Sequence, residues 1–400
     1  MDEYEVTARF NIAETCATSI SIDDVCTWAG VGPGAIFPPS RRLVYGSIRG
    51  SDALRKNLAA IYNNDSNNNN SATPVSGRGL LKENNFLITN GAIGANFAVF
   101  YSLIGKGDHV ICHHPTYQQL YSVPKSLGAR VDLWRTSAED GWELDLDQLK
   151  KMIRSETKMV VLNNPQNPTG KVITKSVFES VIEIAREHGL YVFVDEVYRP
   201  LFHGILPSDP EYPPPAVHWD YDRIVSTGSM SKAYSLAGIR VGWIVSRSLE
   251  IVEACAEARD YTMISVSQLD DQLATIAMGS DCNQKIIERN IKLAQKNLAI
   301  LDDFVQNHVG KCEYVKSRAG TTAFIRFFRD GKPVDDVAFC KAAHAYGAFM
   351  VPGNHCFADG ADFRGYVRIG YVCATEELEA GLKALEDFIQ KEYESLPLAV

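Results

Sequence analysis

The feature that most constrains this 400-residue chain is a regular alternation of short β-branched runs with helical stretches through its middle. Residues 86–89, 109–112, 129–134, 159–162 and 191–194 each read as a buried strand, and residues 223–227 and 241–245 add two more. Helical patterns fill the gaps: an apolar one up to Leu103, then 146–153 and 177–188. Strands alternating with helices predict a mainly parallel sheet covered on both faces, an α/β fold. In such sheets ligands gather beyond the carboxyl ends of the strands, so polar residues there are the first candidates for function.

The flanks read differently. Residues 51–62 form an amphipathic helix with Leu54, Leu58 and Ile61 on one face. The Asn-rich stretch 63–71 that follows cannot bury a face and is expected to be a mobile surface insertion. From about residue 280 the texture changes to helices at 295–304, 337–346 and 376–391 around strands at 322–327 and 366–370, which predicts a smaller α+β lobe. The expected division is a large domain over 45–279 and a small domain made of 1–44 and 280–400. Residues 1–44 are the least legible: Asp23-Asp24 suggests a short helix, and Gly30-Val31-Gly32-Pro33-Gly34 a turn-rich loop.

Composition excludes several classes of function. A net charge of −9 argues against general binding to nucleic acid or anionic membranes, which want a basic surface. No apolar run reaches the roughly 20 residues needed to cross a bilayer. The acidic start Met1-Asp2-Glu3-Tyr4-Glu5 lacks a secretory pattern, and the nine cysteines are odd in number and never spaced Cys-x-x-Cys. A soluble cytoplasmic protein with reduced thiols is expected. His113-His114 lacks metal-ligand spacing, so no metal is expected.

The chemistry concentrates between the last two central strands, in Ser229-Met230-Ser231-Lys232 and, eight residues after the lysine, Arg240. A lysine among apolar and small residues is a candidate for a lowered pKa, and a free amine condenses with a carbonyl. Asn163 to Gly170 reads Asn-Asn-Pro-Gln-Asn-Pro-Thr-Gly after a strand, a rigid turn able to aim an amide. Asp195 closes an apolar strand, with Tyr198 three residues on; the ordinary alternative for such an aspartate is a helix N-cap.

Taken together, Asn-Pro-x-Asn-Pro-Thr-Gly at 164–170, Asp-Glu-x-Tyr at 195–198 and Ser-x-Ser-Lys with its later arginine resemble the fold-type I, class I/II aminotransferases, the pyridoxal-phosphate enzymes related to aspartate aminotransferase. The resemblance runs over roughly 45–390. It implies the three-layer fold of those enzymes and pyridoxal 5′-phosphate as cofactor. Lys232 would hold the cofactor as a Schiff base and shuttle the proton at the substrate's α-carbon. Asp195 would pair with the ring nitrogen, Asn167 and Tyr198 with the phenolic oxygen, and Tyr117 would stack on the ring. Arg240, Ser229 and Ser231, with the backbone N–H groups of Gly91, Ala92 and Ile93 at a helix start, would hold the phosphate. Tyr45 would reach a phosphate across a homodimer interface. Arg368 would grip the substrate α-carboxylate, with Asn167 beside it and the backbone near Gly30 closing over it. The alternatives are a buried tyrosine for Tyr117, a turn aromatic for Tyr45, a surface ion pair for Arg368 and plain turn punctuation for Gly30.

The implied reaction is transfer of an amino group between an L-amino acid and a 2-oxo acid. A lyase, cyclase or oxidase on the same scaffold begins with the same cofactor chemistry, so the motifs do not separate these. A non-catalytic binding protein is disfavoured by the joint presence of Lys232, Asp195, Asn167, Tyr198 and Arg240. Nothing in the sequence names the amino donor.

Overall fold

The computed structural model describes residues 4–65 and 79–399 of the chain. Seven strands form the main sheet: β1 (Phe86–Asn90), β2 (His109–His114), β3 (Arg130–Arg135), β4 (Thr157–Asn163), β5 (Tyr191–Asp195), β6 (Ile224–Ser229) and β7 (Val241–Val245). Their spatial order is β1-β7-β6-β5-β4-β2-β3. The strands from β2 to β6 pair in parallel, while β7 runs antiparallel to both β6 and β1.

Successive side chains of a strand point to opposite faces, and here both faces are covered. Val192 and Val194 of β5 join one apolar core with Val160 and Leu162 of β4, whereas Phe193, Met159 and Val161 join the other. The helix Gly91–Leu103 and the helix Leu249–Asp260 pack on the second core through residues such as Val99 and Val252. The helices Asp52–Asp65 and Lys175–His188 supply Leu54, Leu58, Val181 and Ile182 to the first. This is the expected three-layer arrangement. Each strand side chain removed from water in this way stabilises the sheet by about 1.5–3 kcal/mol, which fixes the strand ends within narrow limits.

A second sheet follows later in the chain. Thr322–Arg329 is its spine, paired antiparallel with Cys312–Tyr314, Lys332–Pro333 and Tyr366–Gly370, the last of which also pairs with Val351–Pro352. The helix Ser280–Asn307 has 28 residues, far beyond the expected 295–304. Its first half buries Cys282, Ile286, Asn290 and Ala294, a row too small and polar to register as an apolar face. The helix Gln119–Ser126 was not anticipated either, since Pro124 lies within it.

Residues 10–20 form a strap that ties the second sheet to the lysine loop. Phe10–Asn11 pairs with Ala348–Phe349, the Gly370 N–H donates to Ile12 O (2.8 Å), and the Ala17 N–H donates to Lys232 O (3.1 Å). Gly370 is required for this crossing: a Cβ there would lie 1.7 Å from the Glu14 carbonyl oxygen. The short helix expected at Asp23-Asp24 spans Ile22–Ala29, with Ser21 and Asp24 capping each other reciprocally. Of the Asn-rich stretch, residues 66–71 lie outside the described residues. Asn63 is no loose surface residue, for its amide exchanges two 3.0 Å hydrogen bonds with the Leu81 backbone.

Candidate active site

The carboxyl ends of β2, β4, β5 and β6 open onto a cavity of about 390 Å³. Asp195, the last residue of β5, is 3% exposed and faces it. Its Oδ2 accepts from Asn96 Nδ2 (3.0 Å) and its Oδ1 from the Val197 N–H (3.1 Å). Burial pushes the Asp195 carboxyl up to about 6, against the pull of these two donors. Burial outweighs the hydrogen-bond donors and the Lys232 charge there, and a protonated ring nitrogen would give the carboxylate a direct cationic partner.

Asn163 ends β4 and anchors the turn that follows it. Its Nδ2 donates to Asp195 O (3.0 Å) and its Oδ1 accepts from the Asn167 N–H (2.7 Å). Gln166 ties the same turn to β2 through Pro115 O (2.6 Å) and His113 (2.9 Å). His113 is therefore a buried strand residue supporting the turn, with burial holding its imidazole down to about 3. No cluster of metal-ligating side chains occurs among the described residues.

Lys232 lies on the loop between β6 and β7. Its Nζ donates to Thr15 Oγ1 (2.6 Å) and lies 3.4 Å from Cys16 Sγ, so the strap meets the lysine directly. The expectation of a lowered pKa is corrected in the protein without cofactor. Burial does push the Lys232 amine down, but Tyr198, Cys16 and Glu14 together outweigh it and leave the amine above its ordinary value. Those partners come from the strap and from the turn after β5, so the apolar neighbours in sequence gave no hint of them. Tyr198 is 2% exposed, and burial raises its phenol despite Lys232 and Arg368 nearby.

Ser229 and Ser231 hydrogen-bond each other (2.9 Å), and Arg240 Nη1 donates to Ser231 Oγ (3.3 Å). Arg240 adopts a left-handed backbone conformation (φ 54°) just before β7, local strain of the kind found where a side chain must be aimed. Gly91 opens the neighbouring helix, also with positive φ, and a Cβ there would meet the Arg240 guanidinium at 2.7 Å. Ala92 and Ile93 line the cavity beside Ser229, Ser231 and Arg240, while Gly91 lies behind the guanidinium. Tyr117, just past β2, forms part of the wall.

Arg368, on strand Tyr366–Gly370, reaches in from the second sheet. Its Nη2 donates to Ala13 O (3.0 Å) and its Nη1 to Asn167 Oδ1 (3.5 Å). Its buried Nε has no partner among the described residues. A guanidinium left with an unused edge inside a cavity suits a bidentate anion.

Two expected positions lie elsewhere. Gly30 ends the helix Ile22–Ala29 in the left-handed conformation (φ 67°), donates to Cys26 O and is exposed outside the cavity. The backbone that meets Arg368 is Ala13, so the expectation for Gly30 is corrected. Tyr45 is 77% exposed and does not line this cavity. Sequence reasoning also missed Asn96, Thr15 and Cys16, and saw Asn163 only as the start of its turn. Asn96 alone left a trace, as an amide five residues into an otherwise apolar helix, 1% exposed and held by Thr227 Oγ1 (2.7 Å).

The residues present fit pyridoxal phosphate. The cavity offers a guanidinium, two hydroxyls and a helix start grouped together for a phosphate, a buried carboxylate for a ring nitrogen, and the Lys232 amine.

Comparison with known proteins points the same way. A profile described as aminotransferase class I and II matches residues 39–385. An aspartate aminotransferase from Sulfolobus acidocaldarius is 34% identical over 87% of this chain and 82% of its own. A capreomycidine synthase from Streptomyces vinaceus is 30% identical over 75% of this chain and 73% of its own. Among solved structures, a PLP-dependent aminotransferase from Streptococcus suis superposes with a TM-score of 0.85 at 36% identity, covering 98% of this chain and 96% of that one. The motif-bearing turns, the cavity they line and these likenesses lead to one assignment: the chain belongs to the aminotransferase class I and II family and is a pyridoxal-phosphate-dependent transaminase.

Proposed function

We propose that Lys232, Asp195, Asn167, Tyr198, Arg240 and Arg368 divide the work of amino-group transfer between an amino acid and a 2-oxo acid. The observation that carries this reading is that all six side chains line a single cavity although they come from β4 to β7 and the second sheet. When bound, pyridoxal phosphate supplies the aldehyde that takes the amino group and a ring that withdraws electrons from the substrate's α-carbon. Asp195 holds a proton on the ring nitrogen, and Asn167 and Tyr198 hydrogen-bond the phenolic oxygen. Arg240, Ser229, Ser231 and the N–H groups of Gly91, Ala92 and Ile93 fix the phosphate. Tyr117 supports the ring face.

Lys232 holds the cofactor through its Nζ and then moves a proton at the substrate α-carbon. Thr15 Oγ1, 2.6 Å from that Nζ, keeps the amine over the cavity. Arg368 takes the α-carboxylate through its unused edge, with Asn167 alongside. Residues 45–279 would then carry the cofactor, and 1–44 with 280–400 the substrate-facing lobe.

A homodimer is part of this reading. Leu43, Val44 and Tyr45 form an exposed apolar run, tied to the helix Gln268–Ala277 where Gln268 Nε2 donates to the Val44 carbonyl, and Tyr261 is 87% exposed. Such an apolar surface suits a second copy, which would bring Tyr45 to the neighbouring phosphate. Light scattering tests this, and a monomeric mass at micromolar concentration would reject it. The free state of all nine cysteines supports a cytoplasmic setting.

The likeness to a capreomycidine synthase favours ring closure as the second reading. One experiment separates the two: mix the cofactor-loaded protein with a stoichiometric L-amino acid and assay the products. Transamination releases one equivalent of 2-oxo acid and retains the amino group until another 2-oxo acid is added. Release of ammonia or a cyclised product with the cofactor unchanged would replace it.

A further inference from the structure

A second chamber, about 540 Å³, opens off the cavity and shares Tyr117, Phe349, Val351 and Arg368 with it. Arg368 stands at the opening, its guanidinium carbon 5.8 Å from the Phe357 ring centre. The chamber's inner wall is apolar. Met350 is 1% exposed and Phe357 4%, and Cys356 and Tyr4 complete the surround. This wall is firmly built. Phe357 packs edge-on against Phe324 (5.6 Å), and the short helix Gly353–Phe357 is pinned where Asp336 accepts from the Asn354 N–H (2.9 Å).

The charges sort themselves in the same direction. Every cation lining the first cavity has a task in the reading above: Lys232 with the aldehyde, Arg240 with the phosphate, Arg368 with the α-carboxylate. The two carboxylates left over are Glu14 and Glu5. Glu14 is fixed by the N–H groups of Thr15 (2.6 Å) and Cys16 (2.9 Å). The basic side chains of the second chamber sit at its rim. Lys341 and His355 are exposed, and His344 hydrogen-bonds the Tyr4 carbonyl (3.0 Å). Inside the chamber a side-chain carboxylate would thus face an apolar wall with no inner cation beyond Arg368, already engaged in the reading above, a desolvation cost that an apolar side chain avoids.

We propose that this chamber receives the side chain of the amino donor, and that the donor is an L-amino acid with a bulky apolar or aromatic side chain. The proposal rests on the reading that Arg368 binds the α-carboxylate, which sets the substrate at the chamber's mouth.

The test uses the cofactor-loaded protein and three carboxylates that cannot react, because they lack an amino group. Calorimetric titration is expected to show 3-phenylpropionate binding at least about tenfold tighter than propionate, with maleate no tighter than propionate. Filling the chamber by Cys356→Trp, or independently by Val351→Trp, should remove the advantage of the phenyl group and leave propionate unchanged. Maleate binding tightest, or an undiminished phenyl advantage in both folded variants, would overturn the proposal. Failure of all three carboxylates to bind would instead remove the Arg368 reading, and this proposal with it. In turnover, phenylalanine and leucine should exceed aspartate in kcat/KM.

Discussion

The two walls of the cavity are held in unlike ways. Asp195, Asn167, Lys232 and Arg240 sit on turns that leave strands buried on both faces, so two apolar cores determine where those turns begin. Arg368 and the Ala13–Cys16 strap meet across backbone carbonyls and hydroxyls, at a place that depends on Gly370 having no side chain. In the proposed reading the first wall holds the cofactor and the second faces the substrate. On the reading proposed above, cofactor chemistry is built into a rigid sheet edge, while the grip on the substrate's carboxylate depends on a thinner strap meeting the second sheet.

The sharpest way to break that contrast is Asp195→Asn, which should lower kcat by about 10³-fold while leaving the fold intact. Its stability effect has a definite sign. The folded carboxyl titrates near 6 against 3.8 for the ordinary group, so without cofactor the ionised form costs about 3 kcal/mol above pH 6 and nothing once both states are protonated. Stability from this group therefore falls as pH rises from about 4 to 6. Thermal melts of the cofactor-free variant should show a gain over the parent at pH 8 that shrinks at pH 5. An equal gain at both values would remove the buried-charge account.

On the substrate wall, Arg368→Lys should raise KM for the amino acid by about 10- to 100-fold with a smaller change in kcat, since an ammonium cannot grip a carboxylate with two prongs. A matching fall in cofactor affinity would show that the two walls are not separable. The smallest effect is expected at Gly30. Gly30→Ala forces a side chain into a left-handed turn and should cost about 1 kcal/mol in a melt, with KM unchanged. A raised KM would bring that loop back into the site.

The same contrast explains what was legible in the sequence. Asp195, Asn167 and Lys232 announce themselves because each follows an apolar run, and the end of such a run is visible in one dimension. Thr15 and Cys16 do not, because their relation to Lys232 is made by chain segments more than two hundred residues apart and leaves no periodicity. The direction of the Lys232 shift failed for that reason: the groups that raise it are Tyr198 after β5 and Cys16 and Glu14 on the strap. Gly30 drew notice because glycines stand out in a sequence, whereas the Ala13 carbonyl that accepts from Arg368 leaves no mark, since any residue offers one. The length of the helix Ser280–Asn307 was hidden by Asn290, which looks like a break in an apolar face yet is buried, donating to Ala233 O (2.8 Å) and steadying the lysine loop.

The contact between Ala13 and Arg368 spans 355 positions. During synthesis Ala13 leaves the ribosome long before Arg368, whereas every residue proposed for the ring and phosphate within one chain lies between 91 and 240. The nascent chain thus owns a complete set of cofactor-holding groups well before it owns a corner for the substrate's carboxylate. A cofactor that binds the folded region can reward the order of the sheet by mass action while the strap still lacks its partner. Ligand capture would then precede specificity in the life of each molecule.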